Sequence, residues 1–132
     1  MKITADTNVL VRALTGDDPK QSRIAQAALD GAEAVAVAIP TLCELVWVLS
    51  AGYGLARVEI VEAIARLLDT DKVVVNRAQA EAGLAVTAAG GDFADGAIAY
   101  EGRWLGGGTF VSFDKKAVRL LEARGEPARL LA

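Results

Sequence analysis

The stretch Met1-Lys2-Ile3-Thr4-Ala5-Asp6-Thr7-Asn8-Val9-Leu10-Val11 decides the fold class. Ile3 and Ala5 can face a core. The apolar run Val9-Leu10-Val11 then continues at helical spacing to Leu14, so a strand passes into a helix with no loop between them. Asp6 is thereby left at the carboxyl end of a strand, the edge at which open α/β sheets place their ligands. Two readings of Asp6 compete on these residues: a functional carboxylate, and a helix N-cap, for which Asp, Thr and Asn are all suited.

Outward from this stretch the alternation repeats. Helix 7–14 ends at Thr15-Gly16. Asp18 as N-cap and Pro19 at the first helical position open a second helix, with Ile24, Ala27 and Ala28 on its apolar side and Asp30-Gly31 at its end. The apolar run 34–39, too short for a helix between Gly31 and Pro40, reads as a buried strand. Pro40-Thr41 start a third helix carrying Leu42, Leu45, Val46 and Leu49. A fourth over 56–68 has Val58, Val61, Ile64, Ala65 and Leu68 at helical spacing. Strand 72–75, Ala-rich helix 77–89, a helix from Asp92 to about residue 105, strand 109–113, helix 114–124 and a short strand at 128–131 complete the order. This alternation predicts an α/β fold with one parallel sheet of four to five strands and about seven helices. At 132 residues, with no linker, repeat or low-complexity segment, a single domain over 1–132 is expected.

Composition narrows the chemistry. Hydrophobic residues make up 53% of the chain and aromatics 5%, so the core has to be built from Ala, Val, Leu and Ile, as suits buried parallel strands under Ala-rich helices. Cys43 is the single cysteine, which excludes an internal disulfide, and no apolar run approaches the roughly 18 residues of a membrane span. No signal-peptide apolar segment follows Met-Lys-Ile-Thr, so a cytoplasmic location is expected. Histidine is absent, which removes the commonest general base and, with one Cys, argues against a zinc or iron–sulfur site. Any chemistry must rest on carboxylates, hydroxyls, Lys or Arg. A net charge of −3 argues against a broad basic surface for nucleic acid, although a bound metal can supply positive charge locally.

The carboxylates fall at recurrent places on this map. Asp6 follows the first strand, Glu44 lies in the first turn of the helix after the second, and Asp114 directly follows the fourth. Right-handed crossovers return parallel strands in one direction, so these three share one sheet edge. Asp95, one turn into the helix that Asp92 opens, joins them if that helix start faces the same edge. Each has a structural alternative: Thr41-x-x-Glu44 matches a capping box, Asp92-x-x-Asp95 matches a cap plus a dipole-favoured acid, and Asp114 before Lys115-Lys116 matches an N-cap. Carboxylates converging among apolar neighbours need compensation. Oxygen-only ligation without His or Cys points to Mg²⁺ or Mn²⁺ and to metal-assisted phosphodiester hydrolysis.

These residues resemble the PIN-domain ribonucleases: Asp6-Thr7-Asn8 after the first strand, Glu44 after the second, Asp92-Phe93-Ala94-Asp95 opening a late helix, and Ser112-Phe113-Asp114 after the fourth strand. Within that family the chain is most similar to the VapC-type toxins of toxin–antitoxin pairs, and the resemblance covers essentially its whole length. It implies a three-layer α/β/α fold and a Mg²⁺- or Mn²⁺-dependent endoribonuclease acting on single-stranded RNA. It implies Asp6, Glu44, Asp95 and Asp114 as catalytic and metal-binding acids, a homodimer, and a cognate antitoxin as partner. Of Asp92 and Asp95 the resemblance favours Asp95 as the ligand, leaving Asp92 as a cap or supporting group. Asn8 and Ser112 either support the ligands or bond local backbone.

Other features are weighed against ordinary roles. Gly106-Gly107-Gly108 lacks the Gly-Lys-Ser/Thr ending of a phosphate loop and reads as a turn. Cys43 reads as inert core. Lys115, Lys116 and Arg119 form either a solvated helix face or a contact for the RNA backbone. Trp47 and Tyr53 are either core or the wall of a groove for a partner. Two rival functions are an Asp-phosphorylated receiver domain and a catalytically silent PIN-like module for protein or RNA binding. The receiver needs an acceptor Asp after the third strand and a Lys after the last, where this chain has Asn76 and Leu131-Ala132.

Overall fold

Strand β1 (Lys2–Thr4) runs into helix α1 (Thr7–Thr15) with only Ala5 and Asp6 between them, as the opening residues predict. Gly16 ends α1 in the left-handed conformation at φ 64°, where a side chain would be strained, and its N–H bonds the Arg12 carbonyl. Asp18 caps α2 (Pro19–Gly31), accepting a hydrogen bond from the Gln21 N–H, and Pro19 takes the first helical position. Then come β2 (Ala34–Ala36), α3 (Ile39–Trp47), a wider π turn over Val48–Gly52, α4 (Arg57–Leu68) and β3 (Val73–Val74). The order continues with α5 (Arg77–Ala88), α6 (Phe93–Trp104), β4 (Phe110–Ser112), α7 (Lys115–Ala123) and β5 (Ala128–Leu130).

This computed structural model describes all residues, Met1–Ala132, and the backbone divides into two units, 1–77 and 78–132. In the first, β1, β2 and β3 pair in that order, both pairs parallel, with Thr4 opposite Ala36 and Ala36 opposite Val74. The strands are short, but Ala5 N–H to Ala36 O and Val37 N–H to Val74 O carry the ladder one residue further. Leu10, Val11, Val35, Val37, Leu42, Leu45, Leu49 and Ile64 make the core of this unit. In the second, β4 and β5 pair in parallel, and Val86, Ala99 and Leu121 cluster under Phe110, Leu120 and Ala128. The α/β class, parallel strands and seven α-helices agree with the sequence expectation, but the strands pair as sheets of three and two rather than along one sheet edge, so Asp114 follows a strand that is not in the sheet whose strands precede Asp6 and Glu44. No helix is long and apolar enough to cross a membrane.

Several helix faces differ from the sequence reading. In α2 the expected apolar side is wrong: Ile24, Ala27 and Ala28 are exposed, while Ala25 is buried and Leu29 half-buried. In α4, Val58 is exposed and Ile60 takes its place in the core beside Ile64 and Leu68. Both helices are rich in small or apolar residues on more than one side, so periodicity leaves the buried stripe ambiguous until a partner surface selects it. Cys43 is half-buried rather than core, and Trp47 is exposed.

Candidate functional site

Asp6 stands where chain direction changes. Ala5 is buried at its strand position and Thr7 is buried at the start of α1, which turns the exposed Asp6 side chain outward at the strand end. Its Oδ1 accepts the Val9 N–H at 3.1 Å, so Asp6 does cap α1. The cap uses one oxygen of the carboxylate. β2 ends alongside β1, and α3 begins three residues later, so Asp6 and α3 leave adjacent parallel strands at the same edge. Because α3 starts at Ile39, Glu44 is its sixth residue and lies in the second turn, exposed, beyond the first turn expected for it. Thr41 is inside the helix. The residue before α3 is Ala38, which has no side-chain cap bond, so the capping-box explanation of Glu44 is excluded. Asn8 is exposed in the first turn of α1.

The acids of the second unit are arranged differently. Asp92 is the N-cap of α6, its Oδ1 accepting the Ala94 N–H at 3.3 Å. Asp95 is then free of the capping role. Its neighbours Gly96 and Ala97 are buried against the rest of the unit and hold the Asp95 carboxyl half-buried. Burial raises the pKa of Asp95 above the ordinary carboxylate value, and the charges of Asp92 and Asp114 raise it further. Asp114 caps α7 through Oδ1, which accepts the N–H groups of Lys116 at 2.9 Å and Ala117 at 3.2 Å. Ser112 fixes this cap residue, its Oγ accepting the Asp114 N–H at 2.9 Å. Lys115, Lys116 and Arg119 are all exposed on α7. The Lys116 Nζ reaches over the Gly90 turn, 4.0 Å from where a β-carbon on Gly90 would stand.

The position of Asp95 depends on a close helix crossing. A β-carbon on Gly96 would run into the Ala82 carbonyl oxygen of α5, and one on Gly83 would lie 2.7 Å from the Phe93 ring. The buried Gln79 Nε2 donates to the Ala97 carbonyl at 3.1 Å and links the same two helices. Neither unit by itself gathers three acidic side chains into a ready-made cation cage. Within the second unit, the charges of Asp92 and Asp114 both act on Asp95.

A family model of the PIN domain matches residues 3–121. This chain belongs to the PIN-domain family. No curated protein matches the sequence. PIN domains are generally nucleases, and they generally use divalent metal ions. The residues of this PIN domain fit such an ion by donor chemistry, since the candidate ligands are all carboxylate oxygens. The caps made by Asp6 and Asp114 use Oδ1 alone, and the half-buried Asp95 is destabilised as an anion, a state that a divalent cation relieves.

One cluster in this PIN domain has no counterpart in the sequence reading. Arg12 of α1 donates from Nε to Gln21 Oε1 at 2.7 Å, and from Nη1 to Asp17 Oδ1 at 3.0 Å and to the Tyr53 hydroxyl at 3.3 Å. The Tyr53 hydroxyl donates to Asp17 Oδ2 at 2.7 Å, and Thr15 Oγ1 donates to Asp17 Oδ1 at 2.9 Å. These bonds, Tyr53 first, then Thr15 and Arg12, hold the Asp17 carboxyl below the ordinary carboxylate range. Tyr53 is therefore neither core nor a bare groove wall. The only sequence signal was an aromatic between Gly52 and Gly54, which does not name a partner 36 residues away.

Proposed function

We propose that this protein is a Mg²⁺- or Mn²⁺-dependent endoribonuclease that hydrolyses phosphodiester bonds in single-stranded RNA. We read it as a single PIN domain, with Asp6, Glu44, Asp95 and Asp114 as the metal-binding acids. The observation that carries this reading is Asp95: a carboxyl half-buried beside two further acids, with the cap of its helix already supplied by Asp92. A structural acid at that position would gain by being exposed or paired with a cation. The family match running from 3 to 121 supports the single-domain reading.

A divalent ion at these acids supplies positive charge toward the phosphodiester and makes a water more acidic. The chain's own residues have distinct tasks around it. Asp6 and Asp114 are oriented by the caps they make, Oδ1 of Asp6 accepting one backbone N–H and Oδ1 of Asp114 two. Ser112 holds the backbone of Asp114, and Asp92 starts α6 so that Asp95 falls within its first turn. Lys115, Lys116 and Arg119 offer exposed cations for RNA phosphates next to Asp114.

The finer biological reading is a VapC-type toxin, acting in the cytoplasm as a homodimer and held inactive by a cognate antitoxin. A groove of about 420 Å³ supports a protein partner: Leu10, Leu14, Leu29 and Leu67 are apolar lining, and Arg66 and Asp71 bring charge of both signs. Such a groove suits an amphipathic segment with flanking charges.

The decisive test is RNA cleavage by the purified protein freed of partners. Activity with Mn²⁺ or Mg²⁺ that EDTA stops and that Asp6→Asn abolishes is expected, because the substitution removes a ligand charge at nearly constant shape. Cleavage that survives EDTA, or equal cleavage by Asp6→Asn, overturns the reading. A folded wild type that binds RNA without cutting it would favour a silent binding module.

A further inference from the structure

The two acids of the first unit sit on helices whose far ends are tied together. Asp6 opens α1, and Glu44 lies on α3, which packs against α1. α3 does not stop at Trp47 but widens into the π turn, where the Tyr53 N–H reaches back five residues to the Val48 carbonyl at 3.1 Å. π turns insert one extra residue and rotate everything after them, and they recur at functional sites. Here the rotation delivers Tyr53 to the carboxyl end of α1, where Arg12, Thr15 and Asp17 meet its hydroxyl.

We propose that Arg12, Asp17 and Tyr53 form a positioning clamp that sets α1 against α3 and thereby holds Asp6 in register with Glu44 for the metal. This inference rests on the metal-dependent nuclease reading above. The lever is short. A helix of nine residues spans about 13 Å, so a tilt of about 10° moves its end by roughly 2 Å, well outside the roughly 0.5 Å within which a ligand set has to be held. The cap that Asp6 makes is a bond to the first turn of its own helix and turns with it, so the direction of α1 is set by contacts at the other end. Arg12 and Asp17 retain side-chain exposures of 32% and 42%, and a lone ion pair so exposed contributes little. This pair is instead crossed by a tyrosine hydroxyl, a threonine hydroxyl and a glutamine carbonyl, so its geometry is fixed by partners on three segments.

The test compares Mn²⁺ affinity, read from the metal-induced rise in melting temperature, in wild type, Tyr53→Phe, Asp17→Asn and Asp18→Ala. Tyr53→Phe keeps the ring and removes only the hydroxyl. Asp18→Ala is the control for loosening of the corner, because it deletes the α2 cap, Asp18 Oδ1 to the Gln21 N–H at 3.0 Å, while removing none of the clamp's own hydrogen bonds, and its charge is the weakest of those acting on Arg12. Tyr53→Phe and Asp17→Asn are expected to weaken Mn²⁺ binding by about three- to tenfold, below the 10- to 100-fold typical of losing a ligand's direct partner. Asp18→Ala is expected to melt lower yet bind Mn²⁺ as wild type does. Unchanged Mn²⁺ affinity in both clamp variants while wild type binds overturns the clamp and leaves the nuclease reading intact. Equal weakening in Asp18→Ala also overturns it, since general loosening of the corner would then be the cause. A wild type that shows no Mn²⁺ response overturns both.

Discussion

Replacing Gly96 by Ala tests the helix crossing that half-buries Asp95. In an isolated helix this substitution stabilises by roughly 1 kcal/mol, because alanine loses less backbone entropy. In the fold, the new β-carbon meets the Ala82 carbonyl oxygen, lies 2.9 Å from Val86 Cγ2 and 3.0 Å from the Ala82 carbonyl carbon. Two of these three atoms are backbone and cannot rotate away, so α5 and α6 have to separate, an overpacking cost of about 1–3 kcal/mol. Since the contacts are severe, the upper part of that range applies, and the net loss is about 1–2 kcal/mol after the propensity gain. For a chain of this length that lowers the melting temperature by roughly 3–8 °C. Gly102 on the same helix supplies the counter-experiment. Nothing stands within 4 Å of its β-carbon position, so Gly102→Ala should gain about 0.4–1 kcal/mol and melt higher by roughly 1–4 °C. Thermal melts of the two variants beside wild type, without added metal, are the assay. If Gly96→Ala melts at or above wild type, the two helices are not in close contact there and the account of Asp95 burial fails.

Asp95→Asn carries a pH signature. A carboxyl whose folded pKa is raised contributes stability that is fully present below its unfolded value, about 3.9, and lost as pH rises through the folded value, so wild type and variant should melt together near pH 3 and the variant should melt higher at pH 7. Millimolar Mn²⁺ should raise wild type more than the variant, and a constant difference at every pH would refute the cause. RNA binding should depend on salt only modestly: with Lys115, Lys116 and Arg119 as the phosphate contacts, three phosphates give a log–log slope of about −2 for single strands. A filter-binding series giving a slope far steeper would show that a wider basic surface is engaged.

What the sequence by itself determined is the order of elements and the cap positions of Asp6, Asp92 and Asp114. The breaks at Gly16, Pro19, Gly31 and Gly90 are punctuated by residues whose backbone limits act locally, so helix starts and ends could be read from neighbours alone. Asp6, Asp92 and Asp114 were legible as first residues or caps for the same reason. Which side of a helix is buried is not legible where both sides are apolar, so periodicity points Ile24 and Val58 to the core although both are exposed. The start of α3 at Ile39 rather than Pro40 was not legible either, and it takes the capping role from Glu44, since the cap position falls on Ala38. Tertiary structure alone decided that Gly96 permits two helices to touch, that Asp95 is half-buried beside Asp92 and Asp114, and that a π turn brings Tyr53 to Asp17. Local backbone preferences propagate over a few residues, whereas burial, pKa and hydrogen bonding across 36 positions depend on distances that exist only once the chain has closed.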